Sequence, residues 1–305
     1  MAIRIHVNDP LDEEAMDLLK SKGELEVTSE HLSKEELLEK IPEVEVLVVR
    51  SATKVTADVI EAGKKLKIIA RAGVGLDNID VEKAKEKGIK VLNAPGASAV
   101  SVAELVIGMM FALSRHIARG TMDLKEGRWT KKELKGVEIT GKTLGIIGIG
   151  RIGREVAKRA LGLGMKVLAY DPYVKEIDMD VKLVELDELY RRSDYITLHV
   201  PLIPQTKHMI NEEAIKKMKD GVFIINCARG GVVDEKALLD ALKSGKVAGA
   251  GLDVFETEPP TSEVEKELLS LPNVVATPHI GASTKEGQKR VGKEIVQRIF
   301  EELGI

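Results

Sequence analysis

Residues 143–153, TLGIIGIGRIG, run an apolar segment straight into Gly148, Gly150 and Gly153, and REVAKRALGLG continues from Gly153 with helical spacing. A strand that turns on glycines into a helix buries both faces only with a parallel neighbour, so this stretch commits the chain to β-α-β architecture. Each glycine has a reason there: a tight turn, close approach of backbone N–H groups to a diphosphate, and close packing of helix on strand. The diphosphate would meet the positive end of the helix. The next strand, KVLAY, ends at Asp171, where a carboxylate accepts from both hydroxyls of a ribose and repels a 2′-phosphate. Together these features predict a dinucleotide site that prefers NAD to NADP.

The same alternation fills the chain. Before residue 98 it reads IRIHV, LDEEAMDLLKSKG, ELEVT, SKEELLEKI, VEVLVVR, TADVIEAGK, LKIIARAG, DVEKAKEKG and IKVLNAP; from 143 it restarts and continues through SDYITLHVP, GVFIINCARGG, VAGAGLDVFE and PNVVATPHIG. The expected fold is α/β, with two doubly wound parallel-sheet domains. A Rossmann-type cofactor domain would span 98–284, and a flavodoxin-like substrate domain would combine 1–97 with 285–305, a cleft lying between the two. Two long helical patterns link them. One begins at Ser98 or Val100 and is expected to run to about Arg119; the other is capped by Ser283-Thr284 and returns to the first domain.

Composition narrows the function classes. A formal net charge of -3 over 305 residues, with no basic cluster interleaved with aromatics, argues against nucleic acid as a partner. The richest apolar run, VAELVIGMMFALS at 102–114, is shorter than the roughly 20 residues a membrane span needs and contains Glu104, so no membrane partner is expected. One cysteine cannot form an internal disulfide, and the first residues are a strand and turn, which fits the cytoplasm. No metal-ligand pattern stands out.

Three strand ends of the second half carry side chains suited to hydride transfer on a 2-hydroxy acid: Arg229 in INCARGG, Glu258 in FETEPP and His279 in TPHIGAS. A guanidinium grips a carboxylate or carbonyl oxygen with two prongs and orients the reacting carbon. An imidazole takes or returns the hydroxyl proton, and a carboxylate beside it holds it upright. Cys227, two residues before Arg229, has no nucleophile motif around it and is expected to pack near the cofactor.

The ordered motifs VRSATKVT (49–56), RAGVGLDNID (71–80), SVAEL (101–105), GIGRIG, HVPL, CARGG, ETEPP and PHIGAS resemble the D-isomer-specific 2-hydroxyacid dehydrogenase family across nearly the whole chain. The resemblance implies that Arg229, Glu258 and His279 are catalytic. It implies NAD contacts from Gly148, Gly150, Arg151, Ile152 and Gly153, from Asp171, from His199, Val200 and Pro201 with Thr206, from Cys227, Ala228 and Arg229, and from Asp253, His279 and Gly281. Relatives usually continue HVPL with threonine, where this chain has Ile203.

The resemblance also implies substrate contacts from the backbone N–H groups of Ala72, Gly73, Val74 and Gly75. Arg50 and Ser51 follow the buried strand VEVLVV, with Lys54 beyond, and a cation and hydroxyl at a strand end suit a phosphate ester. The expected substrate is therefore a small phosphorylated 2-hydroxy acid, as in the branch that oxidises D-3-phosphoglycerate at the entry to serine synthesis. Glyoxylate or hydroxypyruvate reduction with the same three residues is the alternative, and a dinucleotide-sensing binding protein is the rival from another class. A homodimer is expected through the Val100–Arg119 helix and the Trp129 segment. With the chain stopping at Ile305, no serine feedback through an appended regulatory domain is expected.

Overall fold

Runs such as Val46–Val49 (VLVV), buried on both faces, form strands because β-branched side chains pack on a pleated surface covered by helices on either side. The computed structural model describes residues 2–305. Its strands are β1 (Ile3–Val7), β2 (Leu25–Ser29), β3 (Val46–Val49), β4 (Ile68–Arg71), β5 (Lys90–Asn93), β6 (Thr143–Ile147), β7 (Lys166–Tyr170), β8 (Val181–Leu183), β9 (Tyr195–Leu198), β10 (Val222–Asn226), β11 (Val247–Leu252) and β12 (Val274–Ala276).

They form two sheets in which every pairing is parallel. The first has the order β2-β1-β3-β4-β5, the flavodoxin-like pattern; the second has the order β12-β11-β10-β9-β6-β7-β8, a Rossmann order with one strand added beyond β11. Both sheets reverse their strand order once, between β1 and β3 in the first and between β6 and β9 in the second. Ligands bind outside the carboxyl ends of strands at such points. The edge strand β8 has only three residues in a polar stretch, too short to announce itself in the sequence.

The chain divides into two units, residues 1–98 with 282–305, and residues 99–281. In the first unit the helix Lys285–Leu303, capped by Thr284 Oγ1 accepting from Gly287 N at 2.9 Å, buries Val291, Ile295, Val296, Ile299 and Phe300 in the same core as Ile5, Val7 and Leu19. Burial of that many large apolar side chains, at about 1.5–3 kcal/mol each, ties the last segment of the chain to the first.

In the second unit the expected continuous helix through Arg119 is a correction: helix Ala99–Ser114 stops, and a separate helix Ile117–Lys125 leaves it at 64°. The cause lies across the fold. Val137 N donates to Ser114 O at 2.9 Å, taking the carbonyl that a continuing helix would offer to residue 118, and His116 turns the backbone with φ +52°. The Ser114 hydroxyl lies 2.7 Å from Tyr195 Oη, which pins the same turn. No single helix among the described residues is long and apolar enough to cross a membrane.

Candidate active site

At the strand-order reversal of the second sheet, Gly148 follows β6 with φ +93°, a conformation that side chains disfavour, and a Cβ there would lie 2.6 Å from His199 O at the end of β9. A Cβ on Gly153 would overlap the Gly148 carbonyl oxygen, so helix Arg151–Gly162 approaches the strand closely only with glycine there. Gly150 opens onto free space and is the N-cap without a side-chain hydrogen bond, so no side chain covers the first N–H groups of that helix. Asp171 sits beside this turn, its Oδ2 accepting from Ile149 N at 3.1 Å and its Oδ1 from Tyr173 N at 2.9 Å. Each oxygen keeps a further lone pair, as ribose hydroxyls require.

The HVPL turn closes the other side. The His199 ring is buried, which pushes its pKa down to about 3 and keeps it neutral; Nε2 lies 3.1 Å from Thr197 Oγ1, while Nδ1 is an enclosed polar atom with no protein partner among the described residues. Thr206, expected as an NAD contact, holds its own loop with its hydroxyl, which donates to Pro201 O at 2.5 Å and accepts from Ile203 N at 2.9 Å. An uncapped helix start, an open glycine and a carboxylate beside them fit a dinucleotide.

The three side chains expected to do chemistry follow neighbouring strands. β10, β11 and β12 end in register at Asn226, Leu252 and Ala276, and Arg229, Glu258 and His279 stand in the loops beyond. Those loops interlock. A Cβ on Gly230 would overlap the Phe255 carbonyl, so the arginine loop lies directly against the glutamate loop. Phe255 N donates to Glu258 Oε1 at 3.2 Å, and His279 Nδ1 lies 2.7 Å from Glu258 Oε2. Glu258 is thus fixed at both oxygens, and a proton on Nδ1 directed to it leaves Nε2 as the working nitrogen. Both side chains remain open to solvent.

His279 adopts φ +53°, uncommon for a residue with a side chain, and the conformation is over-determined by its surroundings. His279 N donates to Asp253 O at 2.8 Å; the buried Asp253 carboxylate accepts from Thr277 Oγ1 (2.6 Å), Ile280 N (2.8 Å) and Gly281 N (2.8 Å). Asp253, expected as a cofactor contact, is in this arrangement the anchor of the histidine loop. Asn226 does the same for the arginine loop, accepting from Ala228 N at 3.0 Å and donating to Arg229 O at 2.9 Å. Arg229 Nη1 donates to Ala228 O at 2.6 Å. Cys227 is buried with its sulfur 3.7 Å from Met109 Sδ, and burial pushes its thiol pKa up, which suits packing and not nucleophilic attack.

Sequence reasoning passed over one further group. Glu235, two residues after Val233, is 7% exposed and its pKa is raised to about 7, chiefly by burial, with the like charge of Glu256 adding to it. Glu256 N donates to Glu235 Oε1 at 2.8 Å, and Glu256 Oε1 lies 3.0 Å from His208 Nε2. An acidic residue at a helix start reads as an ordinary cap; only the packed fold shows it enclosed beside a second carboxylate.

In the first unit, Arg50 and Ser51 follow β3, and Arg50 Nη1 is turned to Pro10 O at 3.4 Å. The loop after β4 corrects the expected four-donor grip. Ala72 N donates to Val49 O and Gly73 N to Arg71 O, both at 2.8 Å, because the first continues the sheet pattern and the second closes a tight turn. The N–H groups of Val74 and Gly75 take no protein acceptor among the described residues. Asn93 Nδ2 holds Val74 O at 2.6 Å.

The family described as "D-isomer specific 2-hydroxyacid dehydrogenase, NAD binding domain" matches residues 107–281 by its sequence model. The chain is similar to the hydroxypyruvate reductase of Thermotoga maritima, 69% identical over 302 residues that cover 99% of each chain. It is similar to the D-3-phosphoglycerate dehydrogenase of Methanocaldococcus jannaschii, 56% identical over 301 residues, 97% of this chain and 57% of that one. Among solved structures, the D-lactate dehydrogenase of Aquifex aeolicus complexed with NAD and lactic acid superposes with a TM-score of 0.86 at 35% identity, covering 99% of this chain and 95% of the other. A dinucleotide turn at one sheet reversal and an imidazole–carboxylate pair beyond β11 and β12 of the same sheet agree with these likenesses, and the chain belongs to the D-isomer specific 2-hydroxyacid dehydrogenases as an NAD-dependent enzyme.

Proposed function

We propose that the enzyme reduces hydroxypyruvate, a three-carbon 2-keto acid, to the D-2-hydroxy acid. The observation that carries this reading is the 69% identity to a hydroxypyruvate reductase along 99% of both chains. NADH, when bound, supplies the hydride that reaches C2. Gly148, Gly150, Arg151, Ile152 and Gly153 hold its diphosphate, and Asp171 takes the ribose.

Protonated His279 gives the proton on Nε2 to the oxygen at C2 as that carbon is reduced, and takes it back in oxidation. Keto acid, hydride and proton together make the hydroxy acid. The Glu258 carboxylate, 2.7 Å from Nδ1, stabilises the imidazolium and fixes the ring's tautomer once the proton has left. Arg229 orients the substrate's carboxylate and carbonyl with two parallel donors. In the first unit, Arg50, Ser51 and the open N–H groups of Val74 and Gly75 are donors suited to an acid.

A second reading, oxidation of D-3-phosphoglycerate, is favoured by the cations Arg50 and Lys54 beyond β3 and by the 56% identical phosphoglycerate dehydrogenase. Comparing kcat/KM for hydroxypyruvate, 3-phosphohydroxypyruvate and glyoxylate separates the two. A preference for the phosphorylated acid that disappears in Arg50→Ala supports the second reading; a preference for hydroxypyruvate that Arg50→Ala does not reverse supports the first. His279→Ala is expected to lose most turnover while still binding NADH, and near wild-type turnover would refute the acid–base assignment. We also propose a homodimer through the 117–137 segment, where Ile117, Met122, Leu124 and Trp129 are exposed by 53% to 79%. Light scattering that gives the monomer mass would overturn it.

A further inference from the structure

The strand-order reversal of the first sheet lies between β1 and β3, where Asn8 and Asp9 leave one strand and Arg50 and Ser51 leave the other. Asp9, 3% exposed, turns its carboxylate onto the Arg50–Thr53 loop: Oδ2 accepts from Arg50 N at 2.6 Å and from Thr53 N at 3.1 Å, and Oδ1 accepts from Thr53 Oγ1 at 2.7 Å. Asn78 holds the opposite side of the same loop, its Nδ2 donating to Arg50 O at 2.8 Å and Thr53 O at 2.7 Å. Behind Asp9, Asn8 Nδ2 donates to Thr53 Oγ1 at 2.8 Å, and Asn8 Oδ1 lies 3.0 Å from Nε2 of the buried His6.

From these contacts we infer that Asp9 and Asn78 are positioning residues, two jaws that set the 50–53 loop in one conformation for the substrate. The inference rests on the reading that this loop meets the acid. Its physical content is a division of donors. The N–H groups of Arg50 and Thr53 point inward to Asp9, while those of Ser51 and Ala52 take no protein acceptor among the described residues and belong to exposed residues, beside the Ser51 hydroxyl. A four-residue loop held at both of its ends by donors on one side and acceptors on the other loses little freedom when an anion arrives, which lowers the cost of binding. Without either jaw, the same donors must be ordered by the substrate itself.

The test is steady-state kinetics with hydroxypyruvate and NADH on Asp9→Ala, Asp9→Asn, Asn78→Ala and Arg50→Ala, with NADH affinity measured by fluorescence. Asp9→Ala and Asn78→Ala are expected to raise KM at least about tenfold with kcat and NADH affinity within about threefold of wild type, the signature of lost uniform binding. Asp9→Asn keeps an oxygen toward both N–H groups and should recover most of the KM. Asn78→Ala leaves the buried network intact and serves if Asp9→Ala does not fold.

A rise in KM for Arg50→Ala with none for Asp9→Ala or Asn78→Ala overturns the jaws and leaves the loop reading standing. A rise for Asp9→Ala and Asn78→Ala without one for Arg50→Ala removes Arg50 from the site and keeps the jaws, which then act through Ser51 and Ala52. No rise in any variant overturns both. A fall in kcat at unchanged KM, tracking the folded fraction, marks Asp9 as a structural residue only and overturns the inference.

Discussion

Replacing Asp253 by asparagine changes one oxygen to an amide and tests how His279 is held. Asp253 Oδ1 accepts from Thr277 Oγ1 and Ile280 N, and Oδ2 accepts from Gly281 N. An amide has one oxygen. If the NH2 faces Gly281, two donors oppose each other; if it is flipped, the conflict moves to Ile280 N, since only the Thr277 hydroxyl can turn to accept. Either way one charge-assisted bond in a 1% exposed site becomes an unmet donor, a loss of about 1.5–3 kcal/mol.

His279 is tied to the same residue through its N–H on Asp253 O, in a φ +53° conformation that the loop must enforce. If that energy is needed to hold the imidazole for proton transfer, kcat falls by roughly 10- to 150-fold at about 1.4 kcal/mol per tenfold. The assay is the hydroxypyruvate-dependent oxidation of NADH, paired with NADH binding by fluorescence. A kcat within threefold of wild type alongside weakened NADH affinity would refute the anchoring argument and return Asp253 to a direct cofactor contact.

Gly153→Ala places a Cβ against the Gly148 carbonyl, and the turn must open to admit it; NADH affinity should fall by at least about tenfold while substrate-loop variants leave it untouched, and unchanged affinity would detach the turn from the cofactor. Glu235 predicts a pH dependence of stability. Its carboxyl titrates near 7 in the folded chain and near 4.5 when unfolded, so between those values the folded chain keeps a proton that the unfolded chain releases. Stability is then highest below about pH 4.5 in this respect and declines as pH rises through about 7, by up to about 3 kcal/mol. Urea unfolding at pH 5 and pH 8 should show a drop in the wild type that Glu235→Gln lacks; parallel drops in both proteins would contradict it.

The periodicity of apolar runs made the α/β class and the parallel sheets legible, because a strand buried on both faces and a helix buried on one leave different residue spacings. The glycine turn with Asp171 was legible for the same local reason: strand, turn and helix are contiguous, and what the backbone requires there is written in adjacent residues. Arg229, Glu258 and His279 could be picked out at strand ends by residue type. Distances between strands could not, since β10, β11 and β12 are brought together by pairing across more than twenty residues each.

What tertiary structure alone decided is the direction in which polar groups face. Asp9, Asn78 and Asn226 carry no expectation from the sequence and Asp253 carries only that of a cofactor contact, yet each turns inward because neighbouring backbone presents N–H or C=O groups that must be met. The helix break after Ser114 has the same origin, a carbonyl claimed by Val137 from elsewhere in the chain. The grip expected from Ala72 and Gly73 failed likewise, because their N–H groups were already used by Val49 and Arg71. The sequence by itself determined which elements form and which chemistry they carry, since both depend on neighbours along the chain; the fold decided which donors and acceptors remain for a substrate, since that depends on neighbours in space.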